Sequence, residues 1–222
     1  GWDNATELSK ICLKSWKDLN PGWMVIPLSQ ANISDFLDLD EITDDFYSKK
    51  PISCTVDLIN LNLLKKYGGV WVDSTVLCLK PLDSWLQDCM KSDIFTYKFN
   101  PLPPMDEGTN KTRLLSTWFI AANKSNHIID TWCDAYNRYW LGRFEPDHYF
   151  DFHHLFYDLY HKDETFKKSF DDIPEKNSWH MQYLNQFVGE PVTADITNRF
   201  LNGVFEMTKY QNIYKNNSYE DE

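Results

Sequence analysis

Asp73, Ser74 and Thr75 put a carboxylate and two hydroxyls side by side, an all-oxygen donor set. Hard oxygen ligands suit Mg²⁺ or Mn²⁺ shared with phosphate oxygens. A metal bridging a diphosphate would stabilise the charge on a departing nucleotide. Upstream, Asp57 and Asn60 are three residues apart and so share a helix face. They stand at an expected helix start, where free N–H groups and the helix dipole favour anions. The same residue types also have structural uses. Asp is a preferred helix cap, and Asp73 suits the end of a strand and the opening of a turn. Spacing alone leaves both readings open.

The elements around these residues follow from local pattern. Residues 58–67 read as a helix, Gly68-Gly69 as its stop, and Val70-Trp71-Val72 as a short apolar strand ending on Asp73. Glycine supplies the left-handed conformation of a helix C-cap. An acid at the carboxyl end of a strand lies where open α/β sheets place ligand chemistry. Thr6 predicts an N-cap for a helix over Glu7–Leu19, with Ile11, Leu13, Trp16 and Leu19 toward one side. Residues 23–28, 94–99 and 117–122 are further strand candidates, and residues 128–140 and 149–160 read as aromatic-rich helices. Residues 100–109 form a long proline-rich loop of the kind that sometimes serves as a lid. The alternation of helices and short apolar strands argues for an α/β fold. We expect one domain over residues 1–210 and a polar tail over 211–222.

Composition narrows the function. The 222 residues carry a net charge of −11, which disfavours nucleic acid as a partner, because binding it needs clustered Lys and Arg. Nine Trp, twelve Tyr and fourteen Phe suit a thick core, and also stacking against sugar faces. Cys12, Cys54, Cys78, Cys89 and Cys133 are odd in number and not closely spaced, which predicts buried reduced thiols and a reducing, cytoplasmic setting. Five Asn-x-Ser/Thr sequons, at Asn4, Asn32, Asn110, Asn123 and Asn216, point the other way, toward glycosylation. No apolar run is long enough to span a membrane, so membrane association would come through parts outside this chain, which begins at Gly1 without a Met. An anchor lying there would allow a Golgi-lumenal location instead.

The run Val56-Asp57-Leu58-Ile59-Asn60, then Leu63-Leu64-Lys65-Lys66-Tyr67-Gly68-Gly69-Val70-Trp71-Val72-Asp73-Ser74-Thr75 and Lys80-Pro81-Leu82, resembles capsular polysaccharide synthesis proteins. These belong to the wider glycosyltransferases with an Asp-x-Asp sugar-binding region. Asp3-Asn4-Ala5 with Ile11–Trp16, Trp118–Ala122, Asp147–Phe156 and His180-Met181-Gln182 extend the likeness over most of the chain. The resemblance implies a GT-A-like nucleotide-sugar-binding sandwich, with helices flanking a mixed sheet. It implies hexosyltransferase-like transfer, with retention of configuration, from a nucleotide sugar to a polysaccharide or glycan acceptor, aided by Mn²⁺ or Mg²⁺. Asp57 would contact the ribose or donor sugar; Asn60, Gly69, Asp73, Ser74, Thr75 and Trp118 would line the donor site; Asp73, Thr75 and His180 would hold the metal.

Three departures from the family pattern bear on this. Asn60 stands where the wider group usually has Arg, whose rigid fork Asn cannot replace. Thr75 stands where the second Asp would be, and the usual first strand is not seen before Gly1. Together they keep a non-catalytic glycan- or nucleotide-sugar-binding module in view. Asp147, His148, His153, His154, Ser116 and the Asn110–Arg113 segment are secondary candidates for acceptor, donor-pocket or phosphate contacts; Asp147 and His148 read rather as solvated loop, at least one of His153 and His154 as packing, and Asn110–Arg113 equally as loop surface.

Overall fold

The computed structural model describes residues 1–38, 50–100, 112–187, 191, 193–202 and 205–210. The proline-rich segment from 101 onward, Asn110 and the tail lie outside these residues. Helix α1 is Glu7–Leu19, and α2 is Ile52–Tyr67. Strands β1, Gly69–Val72, and β2, Val76–Cys78, follow at once, then the short α3, Leu86–Cys89. Next come β3, Ile94–Lys98, and β4, Leu115–Ala122. The second half holds α4, His127–Tyr139, α5, Asp151–Lys162, α6, Glu164–Asp171, α7, Ser178–Met181, and α8, Ala194–Asn202. Strand β5, Met207–Lys209, closes the described chain.

The strands form two small sheets, β1-β4-β3 and β2-β5, with every ladder antiparallel. The expected mixed sheet is therefore corrected. Among the described residues the only parallel pairing is an isolated bridge, Lys98 to Asn177. Helices cover the strands from the side rather than serving as crossovers between parallel neighbours, so nothing forces a parallel ladder.

Several expected elements form for the reasons read from sequence. The Thr6 side chain accepts from Ser9 N–H and starts α1. Helix α1 buries Cys12 and Trp16, but Ile11 is half exposed, so its apolar face is narrower than expected. Asn126 caps α4 by accepting from Ile128 and Ile129 N–H. Helix α2 departs from expectation: it begins six residues earlier than residue 58, capped by Pro51, whose fixed φ suits a helix entrance. Asp57 thus sits inside the helix, in its second turn, and does not cap it. Residues 23–28 form no strand. Met24 is 87% exposed, and an apolar run with no strand to pair against among the described residues has no ladder to join.

The core is aromatic. Phe95, Tyr97, Phe119 and Trp85 interlock edge to face or tilted beneath the first sheet, and Trp16 of α1 stacks on Phe119. A second group, Trp132, Tyr136, Phe152, Phe156 and Phe166, joins α4, α5 and α6. All five cysteines are free and buried, as expected. No helix among the described residues is long and apolar enough to cross a membrane.

The α2–β1 turn fixes where the site begins. Gly68 has φ +69° and ψ −155°, a conformation essentially reserved for glycine, and its N–H caps α2 on the Leu64 carbonyl at 2.8 Å. A Cβ there would lie 2.7 Å from Lys124 N and 2.9 Å from the Ala122 carbonyl oxygen. Gly69, at φ +94°, faces open space. We expect Gly68→Ala to cost about 3 kcal/mol or more, from strain plus overlap, and Gly69→Ala only about 1–2 kcal/mol. Denaturant melts of the two variants check the order; equal losses would contradict the close approach at Gly68.

Candidate functional site

Strand β1 delivers Asp73. Its residues pair Val72 with Phe119 and Trp71 with Ile120, and the Asp73 N–H donates to the Trp118 carbonyl at 2.9 Å. The ladder therefore ends on Asp73. Val76 N–H then donates to the Asp73 carbonyl at 3.1 Å, which closes a four-residue turn into β2. Strand β2 is held by α1: Trp16 Nε1 donates to the Val76 carbonyl at 2.8 Å, and Ser15 Oγ accepts from Cys78 N–H at 2.9 Å.

The Asp73 carboxylate accepts only from side chains among the described groups. Trp71 Nε1 reaches one oxygen at 3.3 Å and Lys209 Nζ the other at 2.9 Å. The side chain keeps 33% of its surface. Thr75 points inward and is buried; its hydroxyl donates to the Tyr210 carbonyl at 2.9 Å and accepts from Lys209 Nζ at 2.7 Å. Ser74 is exposed beside them. Lys209 had no signal in the sequence. It lies 134 residues beyond Thr75 and reaches it because β5 pairs with β2 in a register that sets Lys209 opposite Val76. Glu206, 4% exposed, locks that strand: its carboxylate takes Lys176 Nζ at 2.6 Å and the Tyr97 hydroxyl at 3.3 Å, and its carbonyl takes the N–H groups of Leu79 and Lys80.

Asp57 comes from α2 and lies near Asp73. Burial, and then the Asp73 charge, hold its carboxyl well above the usual carboxylate range. Yet it keeps some accessible surface. His153 of α5 shares this character: burial, then Arg113 and His154, push its imidazole down to about 3, while part of its surface stays accessible. Arg113 sits between the rings of Phe99 and Phe150, 4.9 Å from each centroid, with a buried Nε that finds no partner among the described residues. Tyr136 links the two neighbourhoods; it lies close enough to Asp57 to feel its charge, and its ring meets Phe152 edge to face at 4.7 Å.

Other expected site residues fall elsewhere. Gly69 is at the opposite end of β1, about 13 Å from Asp73 at the usual rise of a strand. It borders a separate hollow with Trp23, Leu82, Met90 and Asn123. Asn60 is 1% exposed and its Oδ1 has no partner among the described residues, so it lies in the interior and not on a cleft wall. Trp118 contributes its carbonyl to Asp73, but its ring is buried and stacks on Tyr97 at 5.1 Å. Ser116 is likewise buried, donating to the Tyr97 carbonyl at 3.1 Å. His180 is exposed on α7, and no described contact joins it to Asp73 or Thr75. Asp147 forms an exposed bidentate pair with Arg143 at 2.8 and 2.9 Å. His148 and His154 both hydrogen-bond Asp151, a buried acid that the sequence reading passed over. Among the described residues, no three His, Cys, Asp or Glu side chains gather as a metal centre would need.

The sequence matches the family described as capsular polysaccharide synthesis protein over residues 1–221. The chain belongs to that family. Among curated relatives it is 27% identical over 158 residues to "Glycosyltransferase afumC" of Aspergillus fumigatus (strain CBS 144.89 / FGSC A1163 / CEA10), covering 64% of this chain and 39% of that one. It is 24% identical over 153 residues to "O-glycosyltransferase braB" of Annulohypoxylon truncatum, covering 64% and 36%. The family member described here therefore spans under two-fifths of the length of these relatives. A solved structure titled "PaToxG Glycosyltransferase" aligns with a TM-score of 0.43 at 15% identity, covering 88% of this chain and 78% of that one.

The Asp57 environment makes a sign-definite prediction. Its carboxyl binds a proton more tightly in the folded chain than in the unfolded one, for which about pH 4 is the midpoint. Stability from this group is thus complete below pH 4 and is lost as pH rises through the folded value. Asp57→Asn removes the loss. We expect it to raise the melting temperature at pH 8 by about 3 °C or more, and to leave it nearly unchanged at pH 4. A variant less stable than wild type at pH 8 would reveal a structural partner for Asp57.

Proposed function

We propose that this chain carries the donor site of a glycosyltransferase, which moves a hexosyl unit from a nucleotide sugar to a polysaccharide or glycan acceptor on a GT-A-like frame. The observation that supports it most is the pairing of Asp57 with Asp73. The Asp57 carboxyl is desolvated yet keeps some accessible surface, and it lies near enough to Asp73 to feel its charge. Structural needs do not call for such a pair, whereas a polyhydroxylated ligand supplies the donors that would satisfy it. The glycosyltransferase names of the relatives support the reaction class.

In this reading, Asp57 orients ribose or sugar hydroxyls. Asp73 and the exposed Ser74 frame the turn that receives the diphosphate end. Rate enhancement comes from positioning the acceptor hydroxyl near the anomeric carbon and from fixed charge near the departing diphosphate. Retention of configuration belongs to the same proposal. The divalent ion expected from the resemblance fits these side chains poorly. Thr75 Oγ1 is already bonded on both sides, Asp73 already pairs with an ammonium, and His180 stands apart. No step is assigned to a metal.

One observation favours a second reading, a non-catalytic binding module. Asn60 and Thr75, both expected to face the donor, are withdrawn into the interior. Turnover separates the two. Incubation with a panel of nucleotide sugars and a glycan acceptor should release nucleoside diphosphate, and Asp73→Ala should lower the rate about 100-fold or more. Binding of a nucleotide sugar with no release by the wild type would favour the module.

A further inference from the structure

Lys209 is the one cation in direct contact with the Asp73-Ser74-Thr75 turn among the described residues. Its placement is over-determined. The β2–β5 ladder sets it opposite Val76, Tyr210 N–H donates to the Thr75 carbonyl at 3.0 Å, and the Thr75 hydroxyl returns a bond to the Tyr210 carbonyl at 2.9 Å. The buried Glu206 holds the start of the same strand. Thr75 is thus not simply a carboxylate lost. Its oxygen sits 2.7 Å from the ammonium, and the Asp73 oxygen sits 2.9 Å from it. A carboxylate and a hydroxyl grip a fixed positive charge between them.

An ammonium has three N–H donors. Two are taken, by Asp73 and Thr75, and among the described residues no third acceptor is found. The Lys209 side chain keeps 13% of its surface, so the group is sheltered but not sealed. Asp73 is the carboxylate that pairs with this cation, and Asp57, inclined to keep its proton, lies near Asp73. An incoming diphosphate would otherwise meet the Asp73 carboxylate, and a sheltered ammonium offers it a charge-assisted hydrogen bond in surroundings of low dielectric.

We propose that Lys209 is the donor's diphosphate ligand and stands in the place of the divalent ion, so that this site binds a nucleoside diphosphate without metal. This rests on the transferase reading above and names how its site meets the diphosphate. Lysine supplies one charge where a metal would supply two, so the grip is weaker but needs no loading. The geometry also gives Thr75 a purpose. A second carboxylate at that position would pair with Lys209 and neutralise the cation further, whereas a hydroxyl orients the ammonium and leaves its charge for the ligand.

The test is calorimetric titration of the chain with UDP and GDP, and with uridine and guanosine, in EDTA and again in Mn²⁺. For the wild type, the better of the two diphosphates should bind with the same affinity, within about twofold, in EDTA and in Mn²⁺. Lys209→Met, which keeps most of the apolar stem, should weaken that diphosphate about tenfold or more while leaving the matching nucleoside within about twofold. Lys209→Arg should keep most of the affinity, a rescue that a merely structural role in holding β5 would not separate by ligand. Binding that needs Mn²⁺ in the wild type overturns the inference while leaving the transferase reading intact, and this arm needs no variant to fold. So does a Lys209→Met chain that binds the diphosphate as well as wild type. If neither diphosphate binds the wild type in either condition, and no nucleotide sugar is turned over, both readings fail together.

Discussion

Two carboxylates that repel one another, in a place that solvates neither fully, are the constraint around which this chain is arranged. Asp57 and Asp73 come from separate elements, the second turn of α2 and the end of β1. The Gly68 turn between them brings strand and helix together, and its backbone approaches residues 122–124 too closely for any side chain. Folding could relieve the repulsion by turning either acid to solvent. It does so for neither. A single ammonium, carried in on the last described strand, offsets part of the charge. Burial and the Asp73 charge then keep Asp57 inclined to hold its proton. Local conflict retained within a well-packed aromatic core is what supports the proposed donor site.

The scaffold itself is ordinary in its physics. Rings from α1, β3 and β4 interlock under one sheet with Trp85, the residue before α3, and rings from α4, α5 and α6 form a second group. The Asp73-Ser74-Thr75 turn is held by the strands on either side of it and by Lys209 and Tyr210. Arg113 illustrates the same economy of partners. It is a half-buried guanidinium flanked by Phe99 and Phe150, with His153 near it and kept neutral by burial. Aromatic faces stabilise a cation without neutralising it, which leaves a positive charge within a chain whose net charge is strongly negative.

Much of this could be read before any coordinates. Thr6, the Gly68-Gly69 stop, the apolar strand before Asp73, and the strands over residues 94–99 and 117–122 all announce themselves by caps, glycine or short apolar runs. What escaped was non-local. The start of α2 was misplaced because Asp57 looks like a cap, while the true entrance at Pro51 carries no capping side chain. Residues 23–28 have strand-like composition, but composition cannot supply a neighbouring strand. Strands β2 and β5 have three residues each, too few for a period to show. Lys209 was invisible for the plainest reason: nothing in its own surroundings marks it, and its partners lie far back along the chain. Asn60 and Trp118 were legible as neighbours of the site in sequence, but whether a helix or strand turns a side chain inward or outward is decided by packing.

The β2–β5 ribbon has one more consequence. It is only three residue pairs long, and it is fastened by Glu206, Trp16 and Ser15 rather than by its own ladder. A backbone cut between α8 and β5 would leave the rings of both clusters on the upstream piece, while the downstream piece keeps Glu206, the partner of the Tyr97 hydroxyl, and the buried Met207. The severed strand would then be a short peptide held by a handful of bonds, free to exchange with solvent. Loss of the downstream piece from such a clipped molecule would leave Asp73 without its ammonium partner and Tyr97 without its carboxylate acceptor.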